Sequence, residues 1–132
     1  MVYIAAPFFD DFQVAIVEKI KNVLLEQGIS FFSPKDELDI VEGKNFTFEE
    51  RKKVFFGNIN GMSGSNFAIA VIDDFDKGVL WEMGFLFSKN IPIIVYTNFE
   101  DRGLNVMLQC SVSEFVRGID ELKKVLKSGK YF

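Results

Sequence analysis

Short uninterrupted apolar runs alternate along this chain with longer segments in which apolar residues return every three or four positions, as strands alternating with helices do. Val2, Tyr3, Ile4 and Ala5 form the first run, and Pro7 turns the chain out of it into a loop. Over residues 10–27, Phe12, Ala15, Ile16, Ile20, Val23 and Leu24 repeat at helical spacing, with Asp10 or Asp11 as the N-terminal cap and Gly28 as the left-handed stop. Residues 29–32 predict a short strand closed by Ser33 and Pro34, and residues 35–45, acidic and without a period, predict a mobile loop. Residues 46–62 predict a helix capped by Thr47 or Asn45, with Glu49 and Glu50 in its favourable first turn. Gly57 and Gly61 weaken that helix and are expected to kink it or end it early.

Residues 67–72 are apolar without interruption, the pattern of a strand buried on both faces of a parallel sheet. A helix over 79–89 follows, then a buried strand over 91–96 in which Pro92 fits only at the start. A short strand near 114–116 and a helix over 118–127 complete the chain. Five strands alternating with helices predict a doubly wound, flavodoxin-like α/β three-layer sandwich with a mostly parallel sheet and right-handed crossovers. Ligands of such sheets sit beyond the carboxyl ends of the strands, where residues 6–9, 73–82 and 97–107 should meet.

A length of 132 residues with 48% hydrophobic content fits one compact domain spanning 1–132, and sixteen phenylalanines are enough to fill its core and to line a pocket or an interface besides. Nineteen acidic and fifteen basic side chains give a charge of −4 with no basic stripe, which argues against polymeric nucleic acid as a partner. The opening residues lack the charge and apolar length of a signal peptide, and no run reaches membrane-spanning length, so a cytoplasmic protein without a membrane partner is expected. With no histidine and a single cysteine, Cys110, the common general bases and thiol nucleophiles are scarce. Carboxylates are then the expected carriers of chemistry, and neither a cofactor nor a metal is expected.

The densest carboxylate segment reads Asp73-Asp74-Phe75-Asp76-Lys77-Gly78-Val79-Leu80-Trp81-Glu82-Met83-Gly84. Taken alone, Glu82 is either a carboxylate favoured by the positive end of its helix or a reacting group that can stabilise and trap an oxocarbenium-like carbon. Tyr3 alone reads as a core aromatic of the first strand, and Asp73 and Asp74 as solvated loop charges or a cap. Phe8 and Phe9, adjacent on a turn, would be an awkward exposed pair unless they stack on a planar ligand.

Four segments occur together and in order: Tyr3-Ile4-Ala5-Ala6-Pro7-Phe8-Phe9, Phe48-Glu49-Glu50-Arg51, Asp76-Lys77-Gly78-Val79-Leu80-Trp81-Glu82-Met83-Gly84, and Asn105-Val106-Met107. In this the chain resembles the nucleoside 2-deoxyribosyltransferases over nearly its whole length. The resemblance implies that Glu82 attacks the anomeric carbon of a deoxyribonucleoside, forming a covalent deoxyribosyl-enzyme that a second free nucleobase intercepts. By the same resemblance Tyr3 holds the nucleophile, Asp76 binds the sugar 5′-hydroxyl, and Phe8 and Phe9 sandwich the base. Asn105 and Met107 are implied to reach into a neighbouring subunit's site, although both also read as an ordinary loop asparagine and a core methionine. A homo-oligomer follows, with a dimer as the minimal unit and a hexamer as the larger assembly the resemblance allows.

One position departs from the family pattern. Where the family carries an aspartate that protonates the leaving base, the spacing back from Asp76 reaches Asn58, an amide that cannot deliver a proton but can hydrogen-bond a base. Two alternatives therefore stand beside the transferase. One is a deoxynucleoside 5′-phosphate N-hydrolase, disfavoured by the absence of a phosphate cradle in the first turn, though Arg102 lies near the loop; the other is a non-catalytic nucleoside-binding module.

Overall fold

Successive side chains of a strand point to opposite faces of its sheet, and here the two faces bury two different sets of residues. A computed structural model of the chain describes residues 1–38, 45–99 and 104–132. Its strands are β1 (Val2–Ala5), β2 (Phe31–Phe32), β3 (Phe67–Val71), β4 (Ile93–Thr97) and β5 (Glu114–Arg117). Val2 and Ile4, Phe67, Ile69 and Val71, and Ile94 and Tyr96 face one way. There they meet Ile16, Ile20, Val23 and Leu24 of helix α1 (Asp11–Glu26) and, near the carboxyl terminus, Leu122 and Leu126. Tyr3 and Ala5, Ala68 and Ala70, and Ile93 and Val95 face the other way. Burial on both faces is why β1, β3 and β4 read as unbroken apolar runs.

All strand pairs are parallel, in the order β2-β1-β3-β4-β5. This is the flavodoxin-like winding, fully parallel among the described residues rather than mostly so. The order reverses between β1 and β3, and the crevice outside their carboxyl ends is where such sheets hold ligands.

The helices are α1, α2 (Pro34–Glu37), α3 (Phe48–Ser63), α4 (Lys77–Ser88), α5 (Val106–Ser111) and α6 (Gly118–Lys127). Asp10 caps α1 by accepting from the Gln13 amide at 2.8 Å, and Gly28 at φ +69° takes the left-handed turn after it. Thr47 rather than Asn45 caps α3, through a reciprocal capping box with Glu50. Together with α4 and α5, α3 covers the face opposite to α1 and α6.

Several boundaries differ from the sequence expectation. The expected loop over 35–45 opens with the single turn α2, set off by Pro34 at its first position; residues 39–44 lie outside the described residues. Helix α4 begins at Lys77, two residues before the expected start, because Asp76 caps it. The loop expected over 97–107 gives way at Val106 to helix α5, which runs to Ser111 under the Asn105 cap. Helix α3 neither ends at Gly57 nor stops at Gly61. A Cβ on Gly61 would lie 2.8 Å from the Phe32 ring, so this glycine serves the close approach of α3 to β2.

Candidate active site

Helix α3 presents Phe55, Asn58, Ile59 and Met62, spaced i, i+3, i+4 and i+7, and α4 presents Lys77, Gly78, Trp81 and Glu82 from its first two turns. Between these two faces lies a cleft of about 440 Å³. Its walls are largely apolar and aromatic, with Trp81 5.6 Å from Phe55 and stacked on Phe85 at 6.0 Å between ring centres. The polar residues among those lining it are Glu82, Asn58 and Lys77. Few convergent polar groups in an apolar cleft are the usual make-up of a small-molecule site.

Glu82 is held from beneath. The Tyr3 hydroxyl, fully buried in the central strand β1, donates a hydrogen bond to Glu82 Oε2. Tyr3 is itself fixed by stacking on Phe32, at 5.6 Å and 15° between planes, and Phe32 packs against Gly61. Burial raises the Glu82 pKa to about 7; the Tyr3 hydrogen bond opposes that rise, and the charge of Asp76 adds to it. Burial, followed by the charge of Glu82, pushes the Tyr3 phenol well above its ordinary value, so it remains a hydrogen-bond donor. The pair thus supplies an oriented carboxylate that changes ionisation near neutrality, the property expected of a working acid or nucleophile.

Asn58 lines the cleft with its Oδ1 buried and without a hydrogen-bond partner. Asp76 is the N-cap of α4, accepting from the Val79 amide at 3.1 Å, and its second role is its electrostatic effect on Glu82. Gly78 allows that carboxylate to lie close, since a Cβ there would stand 3.1 Å from Asp76 Oδ2. Asp73 departs from the expected solvated charge. It is 5% exposed and accepts from the Thr97 hydroxyl, from Asn98 N at 3.2 Å and from Asn98 Nδ2 at 3.0 Å, tying the carboxyl end of β3 to that of β4. Asp74, by contrast, is exposed and accepts from Gln13 Nε2 at 2.8 Å, while Gln13 Oε1 accepts from the Phe9 amide at 2.7 Å. That bridge draws the turn after β1 towards the turn after β3.

The other expected site residues lie outside this cleft. Phe8 and Phe9 pack on each other at 5.3 Å, with Phe9 62% exposed. Asn105 is the N-cap of α5, accepting from the Leu108 amide at 3.0 Å, and Met107 on the same helix is 76% exposed. Arg102 falls outside the described residues. Phe55 and Lys77 are cleft residues that sequence reading did not single out. The helical spacing of Phe55, Asn58, Ile59 and Met62 was the available signal for the first.

The family model described as nucleoside 2-deoxyribosyltransferase matches residues 2–115. The chain belongs to the nucleoside 2-deoxyribosyltransferase family. A search of curated proteins finds no match. Among solved structures, the 2-deoxyribosyltransferase of Bacillus psychrosaccharolyticus superposes with a TM-score of 0.84 at 25% identity, over 92% of this chain and 89% of that one. A conserved protein of Enterococcus faecalis V583 superposes with a TM-score of 0.80 at 16% identity, over 97% of each chain. A CMP N-glycosidase of Clostridium botulinum follows at 0.59 and 14% identity, over 99% of this chain and 98% of that one. The last two show the shared fold. Membership in the 2-deoxyribosyltransferase family makes this chain an enzyme that transfers a glycosyl group or cleaves an N-glycosidic bond, with nucleosides and nucleobases as the substrates of the family.

Proposed function

We propose that this deoxyribosyltransferase-family protein transfers the 2-deoxyribosyl group between nucleobases through a covalent intermediate on Glu82. The observation that carries the proposal is the Tyr3–Glu82 pair: a carboxylate lining an aromatic cleft, aimed by the hydroxyl of a buried tyrosine. In the first step a Glu82 oxygen forms a bond to C1′ while the bond from C1′ to the base nitrogen breaks, the electron pair leaving with the base. The leaving base then takes a proton from solvent, because Asn58 has none to give. In the second step a ring nitrogen of the incoming base attacks C1′, sheds its own proton, and returns Glu82 to the carboxylate. The ester linkage to the enzyme stores the sugar between the two bases, as in retaining glycoside transfer.

Around this centre, Asp76 accepts from the sugar 5′-hydroxyl while it caps α4, and Phe8 and Phe9 close over the base. Asn105 and Met107 complete the site of a neighbouring copy. Their exposure on α5, together with exposed Phe55, Phe56, Trp81 and Phe87, supports a homo-oligomer.

Lys77 favours a second reading. A cation lining the cleft suits the phosphate of a deoxynucleoside 5′-monophosphate, the substrate of an N-hydrolase that hands the same intermediate to water. One incubation separates the readings: a 2′-deoxynucleoside with and without a second base, products resolved by chromatography. A new nucleoside is the result expected of the transferase. Free base alone, formed faster from the 5′-monophosphate, establishes the hydrolase, and formation of neither product would contradict both readings.

A further inference from the structure

Gln13 stands in the first turn of α1 with both ends of its side-chain amide engaged. Its Oε1 accepts from the Phe9 backbone N–H at 2.7 Å, and its Nε2 donates to Asp74 Oδ2 at 2.8 Å. Only one orientation of the amide satisfies both, since the reversed one sets donor against donor and acceptor against acceptor. The Phe9 bond alone would be a variant of the capping box, in which this helix position turns back on the chain before it. A helix start has no use for the bond to Asp74, 61 residues downstream. Gln13 thereby spans the turns after β1 and β3, at the place where the strand order reverses.

The turn at the far end of this bridge is strained. Phe75 has φ +47°, a left-handed conformation that a bulky side chain keeps only where its surroundings impose it. Asp73 is pinned on one side by Thr97 and Asn98, Asp76 on the other by the Val79 amide, and Gln13 pins Asp74 between them. The fold does not need this third tie. Phe9 and Asp74 are exposed, so water would serve both groups in place of Gln13, and the Asp10 cap uses the Gln13 backbone amide, which any side chain there leaves in place. What the tie fixes is the distance between two turns.

We propose that Gln13 is a positioning residue for substrate binding, holding the Phe8–Phe9 turn that covers the base at a set distance from the Asp76 turn that receives the sugar. This rests on the roles of Phe9 and Asp76 in the proposed function, and it is indifferent to whether the sugar passes to a base or to water. Without the bridge the aromatic turn has to be ordered each time substrate binds, and that cost falls on affinity rather than on the stability of the fold.

Binding of 2′-deoxyadenosine and of thymidine is measured by calorimetry on the Glu82→Gln protein, which keeps the nucleoside intact, alone and combined with changes at Gln13. Gln13→Ala is expected to weaken binding about fivefold, with an unchanged urea midpoint and faster hydrogen exchange at the Phe9 amide. Gln13→Glu, whose carboxylate faces Asp74 with no proton to donate, is expected to weaken it as much. Adding Asp74→Asn, which supplies the donor from the other side, is expected to restore the affinity. Unchanged affinity in Gln13→Ala, a loss matched by a lower urea midpoint, or no restoration in the Gln13→Glu, Asp74→Asn protein would each overturn the inference and leave the proposed function standing. Binding of neither nucleoside by the Glu82→Gln protein would overturn both. The full expected pattern in a protein that transfers no sugar would count against the proposed reaction alone.

Discussion

Tyr3 and Glu82 lie 79 positions apart in sequence, yet the phenol in the middle of β1 donates its hydrogen bond to the carboxylate in the second turn of α4. The hydrogen bond pulls the Glu82 pKa down while burial pushes it up, and burial wins by enough to bring it to about 7. Nucleophilic attack needs the ionised form, so kcat/KM should rise with pH along a limb centred near pH 7. Tyr3→Phe removes the one lowering contribution. Its limb should lie at higher pH, with a slower reaction at neutrality, and a limb that stays in place or moves down would dissociate Tyr3 from Glu82 ionisation.

The same residue sets a dependence of stability on pH. Glu82 holds its proton more tightly when folded, at about 7, than at its ordinary 4.5. Between those values the unfolded chain releases a proton that the folded chain keeps, so stability falls as pH rises through that window and levels off above it. Glu82→Gln has no charge to bury and still offers an acceptor to Tyr3. It should be more stable than the native protein at pH 8 by on the order of 2 kcal/mol, after allowing for partial exposure, with a much smaller difference at pH 5. Urea unfolding at both pH values tests this, and a native protein more stable than the variant at pH 8 would contradict it.

Gly61→Ala should act on the site from behind. The added methyl meets the Phe32 ring at 2.8 Å, and Phe32 is the ring on which Tyr3 stacks. Overpacking of this kind costs about 1–3 kcal/mol. The variant should unfold at lower denaturant concentration and show the same upward shift of the pH limb as Tyr3→Phe, in milder form. Unchanged stability would mean that α3 can move off β2 freely.

Asn58→Asp restores an acid where the leaving base needs one. General acid catalysis is worth about 10² to 10⁴ in rate, so the variant should release poor leaving groups faster, with the largest gain for bases that leave least readily unprotonated. Single-turnover base release is the measurement. A rate unchanged or lowered across all bases would remove this position from the proton path.

The sheet was legible because β3 and β4 are buried on both faces, which leaves apolar runs that no other element of that length explains. Less legible was anything set by one cap. Asp76 and Asn105 start α4 and α5 through single hydrogen bonds, and α5 is too short to show a period. Asp73 was misread because its partners, Thr97 and Asn98, stand 24 and 25 residues downstream, at the end of the next strand and just past it, where parallel pairing brings them. Of the site, family resemblance connected Tyr3 to Glu82, but the cleft itself is a property of two helices lying side by side. Phe55 and Lys77 become neighbours of Glu82 only once α3 and α4 share a face of the sheet.

The covalent link on Glu82 is open to direct observation. The protein is mixed with 2′-deoxyadenosine without acceptor base, quenched in acid, digested, and the peptides weighed by mass spectrometry. A peptide containing Glu82 that gains one deoxyribosyl group, absent from Glu82→Gln, is the result expected of this mechanism. Release of adenine with no such adduct, or an equal adduct on the Glu82→Gln protein, would contradict it.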